Sequence, residues 1–287
     1  MLICYSMFKQ TAFIIVGIFL LTSLIGLYAG NIYIQAIKQD ELPAAFEDPE
    51  NIQNSFYLFI YILFSTVLIF TVVRVWKPSI RFLEAFAVFF SSWITFDLII
   101  PVDIWILSLG FFLALALTIW KMFRPTILSQ NVAAMFSGAG VGALLGASFG
   151  IAPSLIFLII LCIYDYVSVF VTKHMISLAK IITERPTAFT IAAPHKFKKA
   201  KVVPIRGKRK RKFHVFQLGL GDIVMPLVFS VSLLNKYTLF NSLLSIIGSS
   251  IALTLLMYYM SKKPQALPAL PFIALGTLSG FLFSLII

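Results

Sequence analysis

The 287-residue chain is 60% hydrophobic and only 12% charged, with a mean hydropathy of +0.97; soluble domains are roughly 45–50% apolar and about 25% charged. It therefore reads as a polytopic membrane protein. Most of the excess in its net charge of +12 falls in one loop between apolar runs, which points to membrane topology rather than nucleic acid, and Cys4 and Cys162 are too few for a disulfide framework or a zinc site.

Nine runs approach the roughly 20 predominantly apolar residues that a span requires: residues 11–34, 55–75, 79–100, 103–121, 131–149, 153–173, 215–235, 238–260 and 267–287, all approximate. The first follows a single lysine, Lys9, and exceeds the roughly 7–15-residue core of a signal peptide, so it is expected to be a retained span. Pro101 separates the third run from the fourth, and Gly150–Pro153 the fifth from the sixth. Hydrocarbon offers no water to satisfy a backbone, so all nine are expected to be α-helices; no series of short alternating strands points to a barrel. The expected fold is all-α. It is one membrane-embedded domain over 1–287, with spans one to six at 11–173, a basic inner loop at 174–214 and spans seven to nine at 215–287. Gly138, Gly142, Gly146 and Gly150 recur every four residues along the fifth run, a small-residue face suited to close helix packing. The inner loop ends in RGKRKRK, residues 206–212, which fixes topology and meets anionic lipid headgroups. Within it PTAFTIAAP, residues 186–194, is apolar enough to lie at the interface or beside the gap between spans six and seven.

Orientation follows from lysine and arginine. With the amino terminus inside, the inner side collects Lys9, Arg74, Lys77, Arg81, Lys121, Arg124, the basic loop, Lys262 and Lys263, leaving Lys38 and Lys236 outside. The first outer loop, KQDELPAAFEDPENIQ, is acidic, and nine spans put the carboxyl terminus outside.

Sorted by depth, Asp40, Glu41, Glu47, Asp48 and Glu50 lie in that outer loop, Asp97 and Asp103 near the outer boundary, and Glu84 and Glu184 toward the inside. Asp165 and Asp222 remain well within spans. Burying either costs about 2.5–3.5 kcal/mol on insertion scales, so an intramembrane carboxylate is a functional hypothesis by default. Asp165 precedes Lys173 by eight residues, roughly 12 Å of helix, and Asp222 follows Lys212 by ten, roughly 15 Å. The carboxylates thus share a depth on consecutive antiparallel spans. A close pair in a low-dielectric site does not readily ionise twice, and one shared proton is the state in which one carboxylate acts as base toward water and the other as acid toward a peptide carbonyl. Gly219 and Gly221, either side of Leu220, weaken the helix just before Asp222 and admit another backbone.

Tyr164-Asp165, Gly219-Leu220-Gly221-Asp222 and Pro268-Ala269-Leu270 resemble the YD, GxGD and PAL signatures of the presenilin and signal peptide peptidase family of intramembrane aspartyl proteases. Motif order and span count are similar over nearly the whole chain. The resemblance implies that Asp165 and Asp222 are the catalytic pair and that Pro268, Ala269 and Leu270 shape the active site and place substrate, with Tyr164, Gly219, Leu220 and Gly221 as the flanking motif residues. The inferred orientation resembles that of presenilins and reverses that of signal peptide peptidases, and the compact chain resembles microbial homologues. Its short basic loop departs from animal presenilins, so maturation by self-cleavage there is not implied.

Pro264, Pro268 and Pro271 each lack an amide donor and disfavour helix in the preceding residue, so the ninth run is expected to enter the membrane partly extended, bringing Ala269 and Leu270 toward the depth of the aspartates. Backbone exposed there can hydrogen-bond to a substrate opened into a strand.

Other chemistries lack parts. Gly146-Ala147-Ser148-Phe149-Gly150 matches GxSxG, but His174, His195 and His214 all lie near the inner loop, away from that serine. There is no HExxH for an intramembrane zinc protease. Prepilin peptidases also carry a GxGD element, but theirs runs on into a lysine where this chain has Ile223, Val224 and Met225. The alternative from another class is an ion-coupled transporter or channel with paired carboxylates, against which the spans show no duplicated halves. No motif for a metal, nucleotide or organic cofactor is present. The expected substrates are single-span transmembrane proteins whose helices weaken near the cut; the expected surroundings are lipid, with no nucleic acid and no implied accessory subunit. The expected location is a microbial plasma membrane.

Overall fold

Each apolar run forms a helix over most of its length, and the departures lie at the ends. The computed structural model describes residues 2–75, 79–104, 107–170, 190–195, 214–262 and 267–287. Nine α-helices occur among them: α1 (Leu2–Lys38), α2 (Gln53–Val75), α3 (Ser79–Ile99), α4 (Leu109–Phe123), α5 (Ile127–Ser148), α6 (Ile151–Phe170), α7 (Gly221–Ser232), α8 (Leu239–Lys262) and α9 (Leu270–Ser284). Of these α1, α3, α5, α6 and α8 are long and apolar enough to cross a membrane, and the other four carry shorter apolar stretches. Lys77, Lys263, Pro264, His174, Glu184 and the 206–212 basic run lie outside the described residues.

Two runs are not helical throughout, contrary to expectation. In the fourth, Asp103–Ile104 (β1) pairs antiparallel with Leu107–Ser108 (β2), and the helix begins only where the Ser108 hydroxyl accepts the Phe111 amide at 3.2 Å, an N-cap that satisfies one orphan donor. In the seventh, His214–Gly219 is a strand, β4, paired antiparallel with β3 (Thr190–His195), from Thr190↔Gly219 to His195↔His214. Thus part of PTAFTIAAP is β3. The depth reckoned for Asp222 from helical rise does not apply, because the residues before it are extended.

The central helix is α5, which touches α1, α3, α4, α7 and β3. Its glycine face lets α7 approach: a Cβ on Gly142 would lie 2.4 Å from Leu227 Cδ2, and one on Gly146 2.7 Å from the Val228 carbonyl oxygen. Gly150 instead meets the outer loop, its amide bonding the Pro49 carbonyl at 2.7 Å. That loop folds over the ends of α1 and α5. Tyr33 OH donates to Pro43 O at 2.8 Å, the Ala45 amide to Ser148 Oγ at 3.1 Å, and Phe46 stacks on Phe149 at 5.0 Å between centroids. Glu50 pairs with Lys236 at 2.7 Å, and Glu84 of α3 forms a buried ion pair with Lys121 of α4. Both pairs join residues assigned by charge to the same side.

Candidate active site

Asp165 lies on α6 and Asp222 in the first turn of α7, both half-buried. Asp222 lies in the electrostatic field of Asp165. The Leu270 amide donates to Asp165 Oδ2 at 3.3 Å, and Gly219 stands beside the Asp222 carboxyl group. A Cβ on Gly219 would stand 3.2 Å from Asp222 Oδ2, so a larger residue there crowds the carboxylate.

Two transitions from irregular or extended chain to helix meet here, and one of them supplies the Leu270 donor. Leu270 opens α9, and its amide is one of the first-turn donors that no intrahelical carbonyl can take; the positive end of the helix dipole faces the same carboxylate. Pro271 follows without cost, since proline suits a first turn. Ala269 is already helical, at φ −82° and ψ −37°, and its carbonyl accepts the Ile273 amide at 3.1 Å. The expected extended entry therefore stops before Ala269. The PAL segment is both a helix start and a neighbour of Asp165. Pro268 and Leu270 are buried, while Ala269 is half-buried against the core.

The glycine motif divides its labour. Leu220 packs into the core and faces Gly138 of α5, where a Cβ would lie 2.8 Å from Leu220 Cδ1. Gly221 is exposed and has nothing within 4 Å of its would-be Cβ, leaving room beside Asp222. Tyr164 is not drawn to the carboxylates: it is 43% exposed, and its ring meets Phe59 of α2 edge-on at 6.1 Å.

Sequence reasoning missed four participants. Cys162, one turn before Asp165 on α6, is half-buried within the field of both carboxylates; its i−3 spacing from Asp165 was the available signal. Pro226 sits four residues after Asp222 and removes the amide that would bond the Asp222 carbonyl in a regular helix. Gln130 and Asn131, near the start of α5, hydrogen-bond to β3, and nothing local announces a bond spanning about sixty residues of chain.

The family model described as signal-peptide peptidase, presenilin aspartyl protease matches residues 16–287. Among solved structures, a presenilin family intramembrane aspartate protease in a C222 crystal form aligns with a TM-score of 0.62 at 21% identity, covering 93% of this chain and 94% of that one. A P2 crystal form of such a protease gives a TM-score of 0.63 at 21% identity, with 93% and 96% covered. No curated protein sequence matches significantly. The match favours proteolysis over ion transport as the use of the intramembrane carboxylates. The chain belongs to the signal peptide peptidase and presenilin family, and it is an integral, multi-pass intramembrane aspartyl protease.

Proposed function

We propose that Asp165 and Asp222 are the catalytic pair of a GxGD-type endopeptidase that cuts the transmembrane helices of single-span proteins. The observation that carries this reading is that the Leu270 amide holds the Asp165 carboxyl group, while Asp222, with Gly219 against its carboxyl group, lies in the field of Asp165. Aimed in this way, the pair can place a water between them. The ionised carboxylate takes a proton from that water as its oxygen attacks the scissile carbonyl carbon, and the protonated partner gives its proton to the carbonyl oxygen. The tetrahedral diol then collapses: the C–N bond breaks as the amide nitrogen receives a proton, leaving a new carboxyl and a new amine.

Substrate backbone must be extended to reach such a pair, because a helix shields its peptide bonds. The β3–β4 pair supports strand addition. The Ala192 amide and carbonyl both bond Asn131, so Ala192 and its partner Gln217 form a non-hydrogen-bonded pair and the Gln217 groups face away from β3. Gly219, two residues on, has the same direction and lies against the Asp222 carboxyl group. An added strand on this edge ends at the carboxylates. The inner amino terminus and outer carboxyl terminus rest on the distribution of lysine and arginine, and the plasma-membrane location on the resemblance to microbial homologues.

A transition-state mimic bearing a hydroxyl in place of the scissile carbonyl is expected to inhibit turnover in competition with substrate, since the site favours the tetrahedral state. Chelators are expected to have no effect. Full activity at saturating mimic, or loss in chelator with restoration by zinc, contradicts the assignment.

A further inference from the structure

We infer that Gln130 and Asn131 are positioning residues that close the far edge of the β3–β4 pair, so that a substrate strand can add only on the edge beside Asp222. This rests on the strand-addition reading above. Asn131 treats Ala192 as a neighbouring strand would: its Nδ2 donates to the Ala192 carbonyl at 2.8 Å, and its Oδ1 accepts the Ala192 amide at 2.8 Å. Gln130 Nε2 donates to Thr190 O at 2.7 Å and lies 2.9 Å from Thr190 Oγ1. Both amides are buried, at 1% exposure for Gln130 and 8% for Asn131. A primary amide is the side chain that offers a donor and an acceptor together in peptide-like geometry.

An unpaired edge invites a strand, and a two-stranded pair has two. Pairing at β3 would place substrate on the side away from Asp222, which follows β4. The two α5 amides occupy that side, and the faces of Ile191 and Ala193 are buried against Ile15, Phe19, Leu253 and Ile273. With β3 fixed at edge and face, β4 is held in register with it, and Gly219 carries that register to Asp222. The amides therefore set which peptide bond of the substrate meets the pair.

The test is product mass analysis and turnover of a transmembrane peptide by detergent-purified Asn131→Ala, Asn131→Asp and Gln130→Ala. The aspartate variant keeps size and the acceptor for the Ala192 amide but loses the donor to its carbonyl, so it gives a reading even if the alanine variant does not fold. Expected are a fall in kcat of at least about tenfold, as for a small misplacement of reacting groups, and a spread of cleavage over neighbouring bonds. Wild-type product masses in the folded variants, whether turnover is kept or lowered, overturn the inference, because a merely structural role lowers yield without moving the cut. If Asp165→Asn and Asp222→Asn are themselves active, the underlying catalytic reading fails; if they are inactive while the Asn131 variants cut the wild-type bond, only this inference fails.

Discussion

Leu270 acts through its main chain, so its own side chain is less telling than its neighbour's. Ala269 is half-buried beside the donor that holds Asp165, and Ala269→Trp retains oily character while placing a large ring next to that amide. Turnover of a transmembrane peptide is expected to fall at least about tenfold, beyond any loss of folded protein read from the thermal midpoint in the same detergent; wild-type turnover in the folded variant removes PAL from the site. The buried Glu84–Lys121 pair, which the sequence placed toward the inside as separate charges, obeys a different rule. Removing one partner strands the other in low dielectric and costs about 3–5 kcal/mol, whereas replacing both with neutral groups of similar volume is often far milder. Glu84→Gln alone should therefore lower the melting temperature more than Glu84→Gln with Lys121→Met. The reverse ranking would mean that the pair is not buried in the protein as it exists in detergent.

At the scale of elements, helices without a hydrophobic drive toward one another in lipid depend on close backbone approach. The α5 glycine face was legible as a period of four, and three of its members do seat α7. The tighter contact, between α8 and α9, was not foreseen because its glycines lie on two helices: a Cβ on Gly248 would lie 2.2 Å from Gly276 O, and one on Gly280 2.2 Å from Leu244 O. Gly280→Ala is expected to destabilise by about 1–3 kcal/mol, since backbone cannot yield as a side chain can. Gly17→Ala, with nothing within 4 Å of the new methyl group, should leave the melting temperature unchanged; equal shifts in the two variants contradict this packing. The helices were readable because each long apolar run has few alternatives in lipid. Strand β4 was not, because a short apolar stretch such as Val215–Leu218 has no periodicity that separates strand from helix, and its partner lies beyond a basic loop. Gly219 and Gly221 marked where the helix fails but not that a strand precedes it.

Over the whole molecule, the outer loop covers one end of the bundle through Tyr33, Ala45, Phe46 and Gly150, and the strand pair approaches the carboxylates from the other. Water for hydrolysis is expected to enter from the basic side. In a Cys4→Ser background, a membrane-impermeant thiol reagent should reach Cys162 from that side only, and the hydroxyl mimic should protect it; modification from the acidic-loop side alone would reverse the proposed access. The proposed hydrolysis requires two carboxylates acting as one unit. The direct measurement is turnover of a transmembrane peptide by purified wild-type, Asp165→Asn and Asp222→Asn protein, each checked for its melting temperature. Asparagine keeps the shape, and at position 165 can still accept the Leu270 amide, but it cannot exchange the proton. Each variant is expected to fold and to lose cleavage completely; near-normal turnover in either would contradict the central claim.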